Sequence, residues 1–308
     1  MKRILFVFAG IVLILIGVIG LILPILPGWV FIFLGLSLIA PAFAARLKRR
    51  VLRKFSKKEI VYLEHWKKLK VHAGFTTRHF PLVLRKTEDL STGPNQTQFQ
   101  KLFFESRVLL AHGMTPGSKF VYLGQVHKDR IAILDDAHEL KEERFIHIPE
   151  SDGILTNLKH VTLLVFTADC LPVFFAAGKE EIQWIGLVHA GWRGTEKKIV
   201  KKALEAIRER SGCSVSDIHV ILGPRVGKNH YEVGEEFTDH FSASLHRKKG
   251  KLYFDLAGEN TRQLLEAGVL RGRIVDLELC TVSENEDFYS SRKEKEAAGR
   301  MISFISKF

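Results

Sequence analysis

Acidic side chains are missing from the first 58 residues of this 308-residue chain: ten bases lie there, and Glu59 is the first acid. Between Ile4 and Ala45 there is no charge of either sign. Cysteine is scarce as well, limited to Cys170, Cys213 and Cys280. Three thiols outside any spacing framework exclude a disulfide-stapled scaffold and suit a reducing compartment. Low-complexity tracts are absent and 46% of the residues are hydrophobic, which excludes a disordered chain. The formal net charge of +12 invites a nucleic-acid reading, but its distribution opposes it. Of the 46 bases, 46 less ten, or 36, remain after residue 58, and they face 34 acids. The excess therefore flanks one apolar segment, a pattern for lipid headgroups and topology rather than for nucleic acid.

That segment, Ile4–Ala45, runs for 42 residues without charge, where one bilayer-spanning helix needs about 20. Pro24, Pro27 and Gly28 interrupt it, and Trp29 supplies an interfacial ring. We therefore expect a two-helix transmembrane hairpin, Ile4–Leu23 and Val30–Ala45, touching membrane lipid through residues 4–45. Bases lie at both outer ends, Lys2 and Arg3 before and Arg46 to Lys58 after, and none in the turn. The positive-inside rule then sets both ends, and the rest of the chain, on the cytoplasmic side of the inner membrane. A cleaved signal peptide has an apolar core of only about 7–15 residues. Leu21–Trp29 resembles the Pro-Gly-Trp core of small bacterial membrane proteins named for a PGPGW motif, with Pro24-Ile25 replacing the first Pro-Gly pair. The expected organisation is a hairpin with basic flank over 1–58, a linker over 59–71 and a single domain over 72–308.

Within that domain, β-branched runs of strand length recur at Phe120–Leu123, Arg130–Leu134, Val161–Phe166, Ile182–Val188, Ile218–Leu222 and Ile274–Leu279. Helical periodicity marks Glu196–Arg210, Gly258–Ala267 and Lys295–Ile305, and Leu90–Gln100 reads as a long loop. The alternation predicts an α/β (α+β) domain of mixed sheets flanked by helices.

Three residues with metal-ligand chemistry follow predicted strands: His127, Cys170 and His189. Strand ends deliver side chains from distant parts of a chain to one edge of a sheet. A thiolate with two imidazoles is a sound zinc set, with the fourth position open for catalysis. Each residue alone is more often structural, Cys170 as a small buried hydrophobe. Around His189 the sequence reads strand, glycine turn, helix start: Ile185–Val188, His189-Ala190-Gly191-Trp192-Arg193-Gly194-Thr195, then Glu196–Arg210. Such a turn aims backbone N–H groups and the helix dipole at an anion, with Arg193 as a bidentate partner. A plain capped helix with a solvated Arg193 explains the same residues. A second turn, Gly223-Pro224-Arg225-Val226-Gly227, presents Arg225 in the same way, and Phe288-Tyr289-Ser290-Ser291-Arg292-Lys293 adds hydroxyls and cations.

Thr167-Ala168-Asp169-Cys170-Leu171-Pro172-Val173, His189 to Thr195, Gly223-Pro224 with Tyr231-Glu232-Val233-Gly234, Leu279-Cys280-Thr281 and Phe288-Tyr289-Ser290-Ser291-Arg292 occur in the order of the laccase-domain family. The chain resembles that family over about residues 72–308. Its members were described as multicopper polyphenol oxidases, later as purine nucleoside phosphorylases, with a peptidoglycan editing factor branch. The resemblance implies a metal centre, zinc or copper, at His127, Cys170 and His189. It implies phosphorolysis of adenosine, inosine and 5′-methylthioadenosine to base and ribose 1-phosphate, with adenosine deamination to inosine. Arg78, Arg193, Arg225, Ser291 and Arg292 become candidates for phosphate or substrate binding, and Asp169 a proton carrier, an orienter or merely a turn cap. The chain departs from the family at His79-Phe80-Pro81-Leu82 after Phe75-Thr76-Thr77-Arg78, where Gly-Gly-Val-Ser is usual, and at Lys128, Arg225 and Lys293.

Other readings share these residues: a Cys170–His hydrolase acting on a peptidoglycan precursor, a copper polyphenol oxidase, and a membrane-tethered binder without catalysis. Laccase-type copper centres need more histidine ligands than this constellation offers.

Overall fold

The computed structural model describes residues 58–80, 119–136, 140 and 144–307, so the expected hairpin and the loop at Leu90–Gln100 lie outside the described residues. Among the described residues no helix is long and apolar enough to cross a membrane. Lys58–Phe308 forms one compact unit.

Among the described residues it has fifteen strands: β1 (Ile60–Tyr62), β2 (Val71–Thr76), β3 (Lys119–Leu123), β4 (Ile131–Leu134), β5 (Phe145–Ile148), β6 (Gly153–Thr156), β7 (Val161–Thr167), β8 (Leu171–Ala177), β9 (Trp184–Ala190), β10 (Ile218–Leu222), β11 (Glu232–Val233), β12 (Leu245–Lys248), β13 (Lys251–Phe254), β14 (Ile274–Asp276) and β15 (Met301–Lys307). The first sheet has the order β1-β2-β15-β7-β3-β5, the second β14-β10-β8-β9-β6-β4, and β11-β13-β12 form a small third. Pairing is mixed: β3 runs parallel to β5 and β7, while β15 is antiparallel to β2 and β7. The expected α/β domain of mixed sheets is what forms.

The central strands are buried on both faces, which explains their unbroken apolar runs. In β8, Phe174 and Ala176 pack between the sheets with Leu163, Val165 and Ile305, while Val173 and Phe175 face the helices. Those helices are α1 (Trp192–Glu196), α2 (Ile199–Ser211) and α3 (Leu256–Glu266), and α2 contributes Ile199, Val200, Leu204 and Ile207 to the core. Phe120, Tyr122, Leu164 and Phe304 cover the outer face of the first sheet.

Residues expected as a linker, 59–71, carry β1 and a 3-10 turn over Glu64–Leu69, with Trp66 buried. β1 pairs with β2 in register Ile60↔Thr76, so this stretch extends the first sheet. Two helical readings change. The expected Glu196–Arg210 helix breaks between α1 and α2, where Lys198 adopts the left-handed conformation with φ 59°. The segment Lys295–Ile305 is not a helix, because it holds a 3-10 turn over Lys295–Ala297 and then the buried strand β15. Met301, Ile302 and Ile305 mimic helical spacing, but Met301 and Ile305 face one core while Ile302 and Phe304 face the other. Burial in the centre of a sheet overrides that local pattern. A four-residue helix, α4 (Ser291–Glu294), precedes it.

Candidate metal centre

Two passages of the chain from the first sheet to the second meet the end of β9, and the three expected ligands lie there. His127 sits between β3 and β4, Cys170 between β7 and β8, and His189 within β9 opposite Pro172. Their ligand atoms lie within 4.8 Å of one another, and among the described residues they are the group able to hold a metal. His189 is buried, Cys170 half-buried and His127 exposed, so one side of the centre opens to solvent.

Asp152, a residue the sequence reading missed, organises this arrangement. It is fully buried, and its Oδ1 accepts from the His127 N–H at 2.9 Å and pairs with His189 Nδ1 at 2.8 Å. Its Oδ2 accepts from the N–H groups of Val126 at 3.2 Å and Lys128 at 2.8 Å. A single carboxylate thus holds the His127 loop, in which His127 itself has φ 57°, and fixes His189 with Nε2 toward Cys170. Gln125 adds a clamp, with Nε2 donating to the Phe166 carbonyl at 2.9 Å and Oε1 accepting from its N–H at 2.8 Å. This ties the His127 loop to the strand leading to Cys170. The one sequence signal for Asp152 was its place just before the apolar run Gly153–Thr156, which reads as an ordinary turn.

Burial alone would raise the Cys170 thiol, but the His189 charge and hydrogen bonds from both histidines draw it down to about 6. Burial would lower His189, yet the Cys170 thiolate and Asp152 raise it to about 9. Without a metal the pair rests as thiolate and imidazolium; the thiolate is already the ligand form, and His189 gives up its Nε2 proton when a metal takes its place. Space fits a cation too. A Cβ at Gly191 would lie 3.2 Å from Cys170 Sγ and 3.4 Å from His127 Cδ2, so glycine leaves the cradle open. One thiolate and two imidazoles suit zinc or copper and leave a position for a reactant.

The expected cations fare differently. Arg225 is buried and forks onto Asp276, NH1 to Oδ1 and NH2 to Oδ2, both at 2.6 Å. Arg78 donates to the Asn285 carbonyl and to Glu294 at 2.5 Å, and lies over the Tyr289 ring. Each of these guanidiniums already serves an internal carboxylate. Arg193 and Arg292 are exposed and stack on aromatic rings, Arg193 over Trp192 at 4.5 Å and Arg292 over Tyr231 at 4.8 Å. Arg292 also donates from NH1 to the Glu232 carbonyl at 2.9 Å. Burial pushes the Tyr231 phenol up, with the negative charges of Cys170 and Asp169 adding to it. Thr195 lies buried inside α1, where Asn260 donates to its hydroxyl at 2.9 Å and Gln263 to its carbonyl at 2.9 Å. That anchors the glycine turn to α3. Because α1 has only five residues, its dipole is a weak anion attractor.

Asp169 has φ 97°, and both its carboxylate oxygens are taken: Thr281 donates to Oδ1 and the Arg292 N–H to Oδ2, each at 2.6 Å. Its own carbonyl accepts from Val226 at 2.9 Å. Asp169 therefore locks the Cys170 passage to the Thr281 segment and to α4. Ser291 faces the guanidinium of Arg300, a second residue overlooked in the sequence because its segment reads as helical.

The family described as multi-copper polyphenol oxidoreductase laccase matches residues 72–307. Purine nucleoside phosphorylase YlmD of Bacillus subtilis is 32% identical over 76% of this chain and 88% of its own. Purine nucleoside phosphorylase of Aquifex aeolicus is 37% identical over 62% of this chain and 85% of its own. Adenosine deaminase RL5, from an unknown prokaryote, is 30% identical over 59% of this chain and 72% of its own. Among solved structures, the Bacillus licheniformis hypothetical protein YfiH superposes with a TM-score of 0.68 at 26% identity, covering 81% of this chain and 97% of that one.

Proposed function

Because the chain belongs to the multi-copper polyphenol oxidoreductase laccase family, we propose that it is a zinc-dependent purine nucleoside phosphorylase with adenosine deaminase activity. Its substrates are adenosine, inosine and 5′-methylthioadenosine, and it is tethered to the cytoplasmic face of the inner membrane by residues 4–45. The carrying observation is the His127–Cys170–His189 cluster, held by Asp152, in a chain whose relatives are named purine nucleoside phosphorylase and adenosine deaminase. The tether rests on the uncharged run from Ile4 to Ala45.

His127, Cys170 and His189 would hold the metal, which would supply Lewis-acid polarisation of a reactant oxygen when bound. Asp152 keeps His189 in one tautomer, so Nε2 serves the centre. Burial of His189 and Asp152 excludes water from one side, while exposed His127 marks the side of entry. Arg193 and Arg292, without a carboxylate partner among the described residues and braced on Trp192 and Tyr231, present cations to an anionic co-substrate. With both oxygens engaged, Asp169 serves as an orienter rather than a proton carrier.

The order Cys170, His189, Asp152 also has the geometry of a thiol hydrolase, with an acid orienting the imidazole beside a lowered thiol. Metal content separates the two readings. The full chain, incubated with adenosine and phosphate, is expected to release adenine with ribose 1-phosphate, together with inosine. His127→Ala and Cys170→Ala each abolish both products. Full turnover in a preparation stripped of metal sinks the metal mechanism and favours the hydrolase.

A further inference from the structure

We propose that Arg300 binds the phosphate at this site together with the exposed Arg193 and Arg292, its guanidinium receiving the oxyanion that attacks the nucleoside. The inference rests on the phosphorylase reading and adds to it a residue that neither motif nor periodicity singled out.

Three observations carry it. Arg300 is half-buried, unlike Arg193 and Arg292, yet forms no ion pair among the described residues. Only its NH1 is bonded, to the Gly299 carbonyl at 3.0 Å, the Ala298 carbonyl at 3.3 Å and the Ser291 hydroxyl at 3.4 Å. Nε and NH2 keep their donors. Second, hydrogen bonds place it near the centre: Ser291, which accepts from its NH1, is followed by Arg292, whose N–H donates to Asp169, the residue before Cys170, and the charges of Cys170, Asp169 and Glu296 act on it from there. Asp169 acts on it through its charge without a direct hydrogen bond, because Thr281 and the Arg292 N–H engage both of its oxygens. Third, the guanidinium is fixed from two sides. A Cβ at Gly299 would fall 2.7 Å from the Tyr289 ring, so the backbone before Arg300 lies flat against that buried ring. Ser291, which meets NH1, begins α4, whose next residue is tied to Asp169.

A partly desolvated, preorganised guanidinium with an open edge suits a dianionic phosphate. Arg78 and Arg225, which are also withdrawn from solvent, are held by Glu294 and Asp276. In phosphorolysis a phosphate oxygen forms its bond to C1′ as the C1′–N9 bond breaks. The bonding pair leaves with the base, and the base takes up the proton that hydrogen phosphate releases. Arg300 holds the attacking oxyanion, its NH1 steadied by the Ser291 hydroxyl.

The test compares the full wild-type chain with Arg300→Gln and Arg300→Lys. Adenosine is the substrate, because deamination consumes water and phosphorolysis consumes phosphate. Arg300→Gln is expected to raise the KM for phosphate by about tenfold or more and to shift the products from adenine toward inosine by a similar factor. Arg300→Lys restores part of the loss. Titration calorimetry with inorganic phosphate reads the same site without turnover: wild type binds and Arg300→Gln binds at least about tenfold more weakly. An unchanged phosphate KM and product ratio overturn the proposal. Equal loss of both products, with metal content and melting temperature kept, overturns it as well. If wild type makes neither base but binds phosphate through Arg300, the phosphorylase reading falls and the anion site stands. A wild type that binds no phosphate sinks both.

Discussion

Asp152 receives four donors, three backbone N–H groups and His189, and this makes it the residue on which the centre most depends. Its carboxyl lies below its ordinary value, since His189 and the backbone N–H groups outweigh the burial that would raise it. Asp152→Asn replaces one acceptor oxygen by an amide N–H that faces donors. A buried donor left unpaired costs about 1–3 kcal/mol, and loss of a carboxylate behind a ligating histidine typically costs about 10–100-fold in metal affinity. Competition of zinc between the protein and a coloured chelator, run well below the melting temperature, is expected to show that loss. Equal affinity in wild type and variant means that Asp152 shapes the fold alone. The three candidate ligands were legible because each lies at or just past the end of an apolar strand and bears unmistakable chemistry. Asp152 was not, because nothing local distinguishes Ser151-Asp152-Gly153 from a solvated turn; its partners arrive from 24 and 37 residues away.

At the scale of elements, the strands read from the sequence were β3, β4, β7, β9, β10 and β14, each an apolar run, whereas β8, the run Leu171–Ala177 interrupted by Pro172, was not among them. The C-terminal stretch was misread because β15 alternates two apolar faces that imitate helical spacing, and only its partners β2 and β7 settle the matter. The junction that feeds it is held by Glu294, which accepts from the Ser290 N–H at 2.9 Å, from Asn285 at 2.9 Å and from Arg78 at 2.5 Å. Burial would raise this carboxyl, yet those donors keep it below its ordinary value of 4.5. A depressed carboxylate contributes stability above the unfolded-state pKa and loses it as pH falls through the folded one. Urea midpoints should therefore drop as pH goes from about 5 to about 3. Glu294→Gln is expected to be less stable near pH 7 by about 1–2 kcal/mol and to fall less steeply in acid, given that the group is part-exposed. Parallel acid profiles for the two proteins would remove Glu294 from this role.

Over the whole molecule, charge separates into two populations that answer different questions. The residues after 58 are nearly balanced, 36 bases to 34 acids, and several of their cations are spent internally, as Arg225 on Asp276 and Arg262 on Glu259 and Glu266. Nothing in that balance draws the catalytic unit to an anionic surface. The ten unopposed bases before Glu59 flank the uncharged 42-residue run instead. If that run is a hairpin, attachment is hydrophobic and salt cannot reverse it; if it is not, attachment is electrostatic and screened within about 3 Å at 1 M salt. The full chain is thus expected to stay in the membrane pellet through washes in molar salt and in alkaline carbonate, and to leave it only in detergent. A reporter fused after Phe308 should be active in the cytoplasm, because the bases at both outer ends resist translocation. Release by salt overturns the hairpin, whereas a reporter active only outside the cytoplasm keeps the hairpin and reverses its orientation. In that case the metal centre would sit away from the phosphate and nucleosides on which the proposed chemistry depends.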